Sequence, residues 1–323
     1  LLSTDDYLKM KKFISVADAG NIKELVREAI EIKKNPFSDK KLGENKTIGI
    51  IFFNASLRTR LSTQKAAKNL GMEVLVMNFT EGYNIETEDG VVMNADTQEH
   101  IKEAAAVIGQ YCDIIALRSF PKFLDRELDY SEHVINNFIK HSKRPVINLE
   151  SATRHPLQSL ADLITIEELK TKERPKVVLT WAPHPRKLPQ AVANSFAEWL
   201  TKADVDFVIT HPEGYELCPD FVGDTQVIYN QDEALKDADF VYAKNWSSYT
   251  DYGKILSEDV EWQITAAKMA LTDDGKFMHC LPVRRNVIVS DEVLDSDSSV
   301  VIQEAGNREF SAQVVIKKIL EAL

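Results

Sequence analysis

Glycine is too sparse and too scattered here to build a nucleotide cradle. The 323 residues contain 12 glycines, and no two stand one residue apart. Neither GxGxxG nor GxxxxGK followed by Ser or Thr occurs, so the dinucleotide and P-loop fingerprints are absent. That disfavours a nicotinamide-dependent enzyme. Cysteine is equally scarce. Cys112, Cys218 and Cys280 are far apart and form no CxxC pair, which excludes a disulfide framework and makes a reducing cytosol the default. The seven histidines are dispersed, with no HExxH and no carboxylate-rich calcium loop, so neither a metal nor a cofactor is expected. No apolar run approaches the ~18 residues of a membrane span. The stretch "LLSTDDYLKMKK" lacks a basic segment followed by an apolar one, so no signal peptide is expected and a cytoplasmic location follows. Positive charge is in deficit: 39 Lys and Arg face 50 Asp and Glu, a net charge of −11. This argues against nucleic acid or an anionic membrane as the main partner.

What is present is a core. Apolar residues at 44% and charged residues at 28% are the balance of a globular protein, and the length suits two domains. Lys46–Phe53 reads as a buried strand, and the stretch from Arg58 to Leu70 as a helix stopped by Gly71. Glu73–Met77, Asp113–Leu117 and Pro145–Leu149 read as further strands. Ile101, Ala104, Ala105, Ile108 and Tyr111 share one helical face, and a helix is predicted over about Ser131–His141. The second half repeats the alternation. Helices are predicted over Pro156–Glu168, Gln190–Leu200 and near Trp262–Met269. Strands are predicted at Lys176–Trp181, Asp206–Thr210, Ala238–Tyr242 and Val300–Ile302. Ile316, Leu320 and Leu323 stripe a last helix. The prediction is α/β: two doubly wound parallel-sheet domains, divided near Glu150, with ligands in the cleft at the carboxyl ends of their strands.

The chain writes its oddest segment at a helix start: Asn54-Ala55-Ser56-Leu57-Arg58-Thr59-Arg60. A helix N-terminus ordinarily attracts acidic side chains. With Ser56 as N-cap, the amides of Leu57 to Arg60 point outward, and with two hydroxyls and two guanidinium groups they form a phosphate cradle without glycine. A capped surface helix with solvated arginines explains the motif equally well. Other groups lie where a parallel sheet presents ligand contacts. Arg118 ends a strand, "HPLQ" (His155 to Gln158) opens a helix, "HCLPVRR" (His279 to Arg285) follows an apolar stretch, and Arg308 opens the last helix. Singly, such a His or Cys is an ordinary core residue. Together they describe a site for a dianion beside a polar carbonyl.

SLRTR, Arg118, HPLQ and HCLP, in this order and spacing, resemble the aspartate/ornithine carbamoyltransferase family over essentially the whole chain. The resemblance implies carbamoyl phosphate as donor, no metal, and a homotrimer with active sites at subunit interfaces. It assigns 1–150 with 305–323 to carbamoyl phosphate and 151–304 to the acceptor. Ser56, Leu57, Arg58, Thr59 and Arg60 would hold the phosphate. Arg118, His155 and Thr59 would polarise the carbamoyl carbonyl. Gln158 would accept from the carbamoyl NH₂, and Arg308 would add charge stabilisation. The backbone at Cys280 and Leu281 would orient the attacking amine, leaving Cys280 no covalent role.

The finer resemblance is to the branch acting on N-acylated ornithine. The Ser-Met-Gly loop of ornithine enzymes is missing, and Ala243-Lys244-Asn245-Trp246 stands there. Thr180–Pro189 resembles that branch's proline-rich loop, which implies a knotted second domain. Glu150, His184, Lys244 and Arg284 match acceptor contacts. The acyl group rests on two positions. Acetyl enzymes carry Glu where this chain has Gln98 and Lys where it has Ile288, whereas succinyl enzymes carry Pro at the first. A glutamate would repel a succinyl carboxylate and a neutral Gln98 would not, so the expected acceptor is N-succinyl-L-ornithine, with N-acetyl-L-ornithine as the alternative. Tyr83 replaces an expected Trp in the loop that reaches the neighbouring subunit. A non-catalytic anion binder remains an alternative of another class.

Overall fold

The computed structural model describes residues 10–79 and 82–323. Most of the stretch read for a signal peptide, residues 1–9, lies outside the described residues. The chain divides into two compact units, Leu1–Leu157 with Arg308–Leu323, and Gln158–Asn307.

The first unit is built on buried β-branched runs. Helix α1 (Ile22–Lys34) is capped by the Asn21 side chain. It leads to β1 (Thr47–Phe52), α2 (Arg58–Asn69) and β2 (Glu73–Asn78). Two short strands, β3 (Ile85–Glu86) and β4 (Glu99–His100), pair with each other before α3 (Ile101–Tyr111). Then come β5 (Ile114–Arg118), α4 (Arg126–Tyr130), α5 (His133–Ser142) and β6 (Val146–Glu150). The sheet runs β2-β1-β5-β6, all parallel, and Phe13 extends the β6 edge through Val146 and Asn148. Helices α3 and α5 cover one face, closing a core of Ile51, Ile101, Ile115, Leu117, Ile135 and Phe138. Strand order reverses at β1, between β2 and β5. The carboxyl ends of β1 and β5 therefore open a crevice, the place where such sheets bind ligands.

The second unit begins within α6 (Pro156–Leu169). It adds β7 (Lys176–Trp181), α7 (Ala191–Leu200), β8 (Asp206–Thr210), α8 (Pro219–Val222), β9 (Gln226–Val227) and α9 (Gln231–Leu235). Next come β10 (Phe240–Lys244), α10 (Ala266–Met269), β11 (Lys276–Met278), α11 (Asp291–Leu294) and the long α12 (Val301–Leu320). Its sheet runs β11-β10-β7-β8-β9, again all parallel. Both faces are covered, so β7 and β10 are almost wholly buried.

Several elements depart from the sequence prediction. Val300–Ile302 is not a strand. Its β-branched residues open α12, and the edge strand is β11, to which Ser299 adds an isolated bridge at Phe277. The helix expected near Trp262–Met269 is a 3₁₀ turn, Val260–Trp262, followed by α10 capped from Thr265. The helix expected over Ser131–His141 starts at His133, after the separate α4. Tyr111 and Leu323 are exposed, and Cys112 and Ile319 take the buried places beside them. Arg308 lies inside α12, not at its opening. Ser56 does not cap α2, whose first turn carries no side-chain cap.

Candidate active site

In the first unit the predicted residues gather at the carboxyl ends of β1, β5 and β6. Ser56 fails to cap α2 because its hydroxyl is engaged elsewhere, accepting from Arg118 Nη1 at 3.1 Å. The amides of the first helical turn keep their outward orientation without a side-chain acceptor, which is the condition for anion capture. Thr59 is buried, and its Oγ1 accepts from Arg308 Nη2 at 2.6 Å and from Arg118 Nη1 at 3.4 Å. His155 Nε2 stands 3.3 Å from Arg308 Nη2. Two guanidinium groups, an imidazole and a hydroxyl thus converge within one unit. Leu57 is 65% exposed on the outer side of the turn and offers only its backbone. Arg60 turns its side chain back to Asn78 and lies over the Phe52 ring at 4.4 Å.

A bulge fixes the local charge balance. The register of β5 on β6 passes from Leu117↔Asn148 to Arg118↔Glu150, so Leu149 is left over. The extra residue re-aims the strand end. Glu150 Oε2 then meets Arg118 Nη1 at 2.8 Å and His155 Nε2 at 3.5 Å. Glu150, expected among the acceptor contacts, therefore stands beside Arg118 and His155, expected at the carbamoyl carbonyl. Its neighbour loop is clamped by a residue that sequence reading missed. Glu132, in a left-handed conformation, receives the Ser151 hydroxyl at 2.7 Å and the Thr153 amide at 2.9 Å. Burial pushes its carboxyl up, against the lowering pull of those bonds. A cavity of about 250 Å³ opens here, lined among others by Phe53, Leu117, Phe120, Glu132 and Glu150.

Tyr83 and Gln98 belong to a different part of this unit, the exposed segment around β3 and β4. The Tyr83 hydroxyl donates to Glu99 at 2.7 Å, and Gln98 Oε1 accepts from the Asn84 amide at 2.5 Å. The Glu99 bond raises the Tyr83 phenol above its usual range.

The second unit carries the other predicted residues at the carboxyl ends of β7, β10 and β11. His184 follows β7, Lys244 ends β10, and Cys280 follows β11. His184 Nε2 accepts from Arg284 Nε at 3.0 Å, and Nδ1 lies 2.9 Å from the Arg186 carbonyl and 3.0 Å from the Arg186 amide. Burial lowers the His184 pKa first, and Lys244, Arg284 and Arg186 lower it further. Lys244, Arg284 and Arg186 thus gather positive charge about the His184 ring. Leu281 adopts a left-handed backbone (φ 52°), a conformation costing a non-glycine residue about 1–3 kcal/mol, and its amide donates to His279 Nδ1 at 2.9 Å. Cys280 and Tyr242 are both buried, and burial pushes the Tyr242 phenol well up. Gln158 is 1% exposed, and its Nε2 donates to Asp162 at 2.8 Å and to Glu304 at 3.1 Å. Asp162 and Glu304 escaped sequence reading. The i, i+4 spacing of Gln158 and Asp162 was the one available sign. Ile288, read as a specificity position, is packed in the core of this unit. Among the described residues no cluster of three His, Cys, Asp or Glu can hold a metal ion, and no helix is long and apolar enough to cross a membrane.

Each unit is a parallel α/β sheet; one gathers Arg118, Arg308 and His155 about Thr59, and the other gathers Lys244, Arg284 and Arg186 about His184. The chain belongs to the aspartate/ornithine carbamoyltransferase family: its carbamoyl-P binding domain matches residues 11–168 and its Asp/Orn binding domain residues 189–319. The N-succinylornithine carbamoyltransferase of Bacteroides thetaiotaomicron is 60% identical, covering 97% of this chain and 100% of the relative. The N-acetylornithine carbamoyltransferase of Xylella fastidiosa is 38% identical, covering 93% and 96%. A solved structure of N-acetyl-L-ornithine transcarbamylase, with a glutamate replaced by proline and complexed with carbamyl phosphate and N-succinyl-L-norvaline, superposes with a TM-score of 0.89. It is 35% identical and covers 96% of this chain and 99% of its own.

Proposed function

We propose that this carbamoyltransferase moves the carbamoyl group of carbamoyl phosphate to the δ-amine of N-succinyl-L-ornithine, giving N-succinyl-L-citrulline and phosphate, within arginine biosynthesis. The observation that carries the donor half is the convergence of Arg118, Arg308 and His155 about Thr59 Oγ1. Ser56, Thr59, Arg58 and the backbone amides from Leu57 to Arg60 hold the phosphate, with the Arg60 side chain turned to Asn78. Arg118, His155 and Thr59 polarise the carbonyl, where loss of one donor typically costs 10²–10³ in rate. The neutral δ-amine attacks the carbamoyl carbon. The new C–N bond forms, the C–O bond to phosphate breaks, and the amine proton leaves with the phosphate. Lys244, Arg284 and His184 take the acceptor's carboxylate, and the Cys280 and Leu281 backbone orients the amine. Most of the acceleration then comes from alignment and electrostatics.

For the acyl group, the succinyl relative's much higher identity is the support, joined by Gln98. In the acetyl-enzyme relative, replacing a glutamate by proline accompanies a bound succinyl ligand. Gln98 likewise places no negative charge at the matching position. A homotrimer completes the reading. Leu57 and Leu61 at the start of α2 and Leu75 on the edge strand β2 are 65%, 58% and 46% exposed, apolar side chains available to a second copy. The decisive experiment is a citrulline-forming assay with ornithine, N-acetylornithine and N-succinylornithine in parallel. The succinyl substrate gives the highest kcat/KM. Preferred turnover of free ornithine defeats the branch assignment, and phosphate release with none of the three identifies a binder.

A further inference from the structure

Gln158 is the buried side chain whose orientation decides most. A glutamine amide has a donor end and an acceptor end of nearly equal shape, so its neighbours must fix which is which. Here Nε2 contacts two carboxylate oxygens, Asp162 Oδ1 at 2.8 Å and Glu304 Oε1 at 3.1 Å. Both contacts are to carboxylate oxygens, which take the NH₂ end of the amide as donor. The other end, Gln158 Oε1, is buried and has no hydrogen-bond partner among the described residues. A buried lone acceptor costs free energy until a donor arrives. Glu304 is itself fully buried, and its second oxygen, Oε2, accepts the His279 amide at 2.9 Å. It therefore accepts on both oxygens, once from the Gln158 side chain and once from the loop that carries Cys280 and Leu281. Glutamine cannot replace it without setting a donor against a donor.

We propose that Asp162 and Glu304 are positioning residues that lock the Gln158 amide so that the protein takes a donor bearing NH₂ and rejects one bearing CH₃. The inference rests on the carbamoyl-transfer reading. Carbamoyl phosphate satisfies Oε1 with its NH₂. Acetyl phosphate has the same charge and nearly the same shape, but its methyl group leaves Oε1 unpaired. Sites built to hydrogen-bond a substrate group discriminate strongly against the analogue that lacks it.

The test compares KM for carbamoyl phosphate with the inhibition constant of acetyl phosphate, in the wild type and in Glu304→Leu and Asp162→Leu, which leave no acceptor for Nε2 at the substituted position, with N-succinylornithine as acceptor. The wild type binds acetyl phosphate at least about tenfold more weakly than carbamoyl phosphate. In both variants the gap narrows by about tenfold or more, and in the Asp162 variant, which leaves the His279 loop bonded to Glu304, KM for the acceptor holds. Equal affinity for the two phosphates in the wild type overturns the proposal, whether or not the variants fold. So does a variant that loses activity with the ratio unchanged, because that marks a merely structural role. Absence of turnover in the wild type with every acceptor defeats the carbamoyl-transfer reading itself, which is a separate result.

Discussion

At the residue scale, the site is organised by which partner each polar group already holds. Ser56 gives its hydroxyl to Arg118 instead of capping α2, and Glu150 holds the same guanidinium through a 2.8 Å ion pair. Both choices position Arg118 before any ligand arrives, so under the proposed mechanism little reorganisation is left for the reaction. The SLRTR motif, Arg118, HPLQ and HCLP were all legible as residue types. Their pairings were not, because Asp162, Glu304 and Glu132 meet them only through the fold. Gln98 is the residue where a single charge should tell. It sits on the exposed segment between β3 and α3, held by Asn84. Gln98→Glu should move the ratio of kcat/KM for N-acetylornithine over N-succinylornithine toward the acetyl substrate by about tenfold, the scale of one unfavourable charge contact. Steady-state assays of the two acceptors check it, and an unchanged ratio shows that Gln98 does not read the acyl group.

At the element scale, close approach between helices accounts for residues that no motif explains. Gly109 lies on α3 where a Cβ would come within 2.2 Å of the Ser142 carbonyl at the end of α5. The backbone carbonyl cannot retreat cheaply, so Gly109→Ala should destabilise the protein by about 1–3 kcal/mol despite the better helix propensity of alanine. Urea unfolding gives the shift in midpoint, and a stabilised variant contradicts the packing. The periodic elements were readable because one face of each is buried: β7 and β8 match the predicted limits residue for residue. The failures share a cause. Val300–Ile302 has strand composition, yet Ser299 makes only one bridge to Phe277, and the chain turns into α12 where the sheet ends. Local propensity yields there to tertiary placement.

At the scale of the whole molecule, two buried or half-buried imidazoles set a pH response. His211 is 1% exposed, and burial lowers its pKa below the ordinary value of 6.5; His184 is lowered for the same first reason. Above that value neither state binds the proton. As pH falls through it, the unfolded chain takes up protons that the folded chain refuses, so stability declines on the acidic side. The urea midpoint should fall between pH about 7.5 and pH about 5.5, and His211→Gln should flatten that slope. The proposed homotrimer is the other whole-molecule expectation. Leu61→Asp, among the exposed apolar side chains at the start of α2, should convert a trimer into smaller species in sedimentation velocity. A wild-type protein that sediments as a monomer rules out the homotrimer.

The sequence by itself determined the alternation of strands and helices and the set of side chains able to grip a phosphate dianion. It did so because burial on both faces of a parallel sheet imposes apolar runs, and because cations at a helix start oppose the usual dipole preference. Only the tertiary structure decided that the β6 bulge sets Glu150 against Arg118, that Ser56 serves Arg118, and that two buried carboxylates turn Gln158. Those arrangements depend on hydrogen bonds between residues as many as 146 positions apart, and such partners leave no trace in local periodicity.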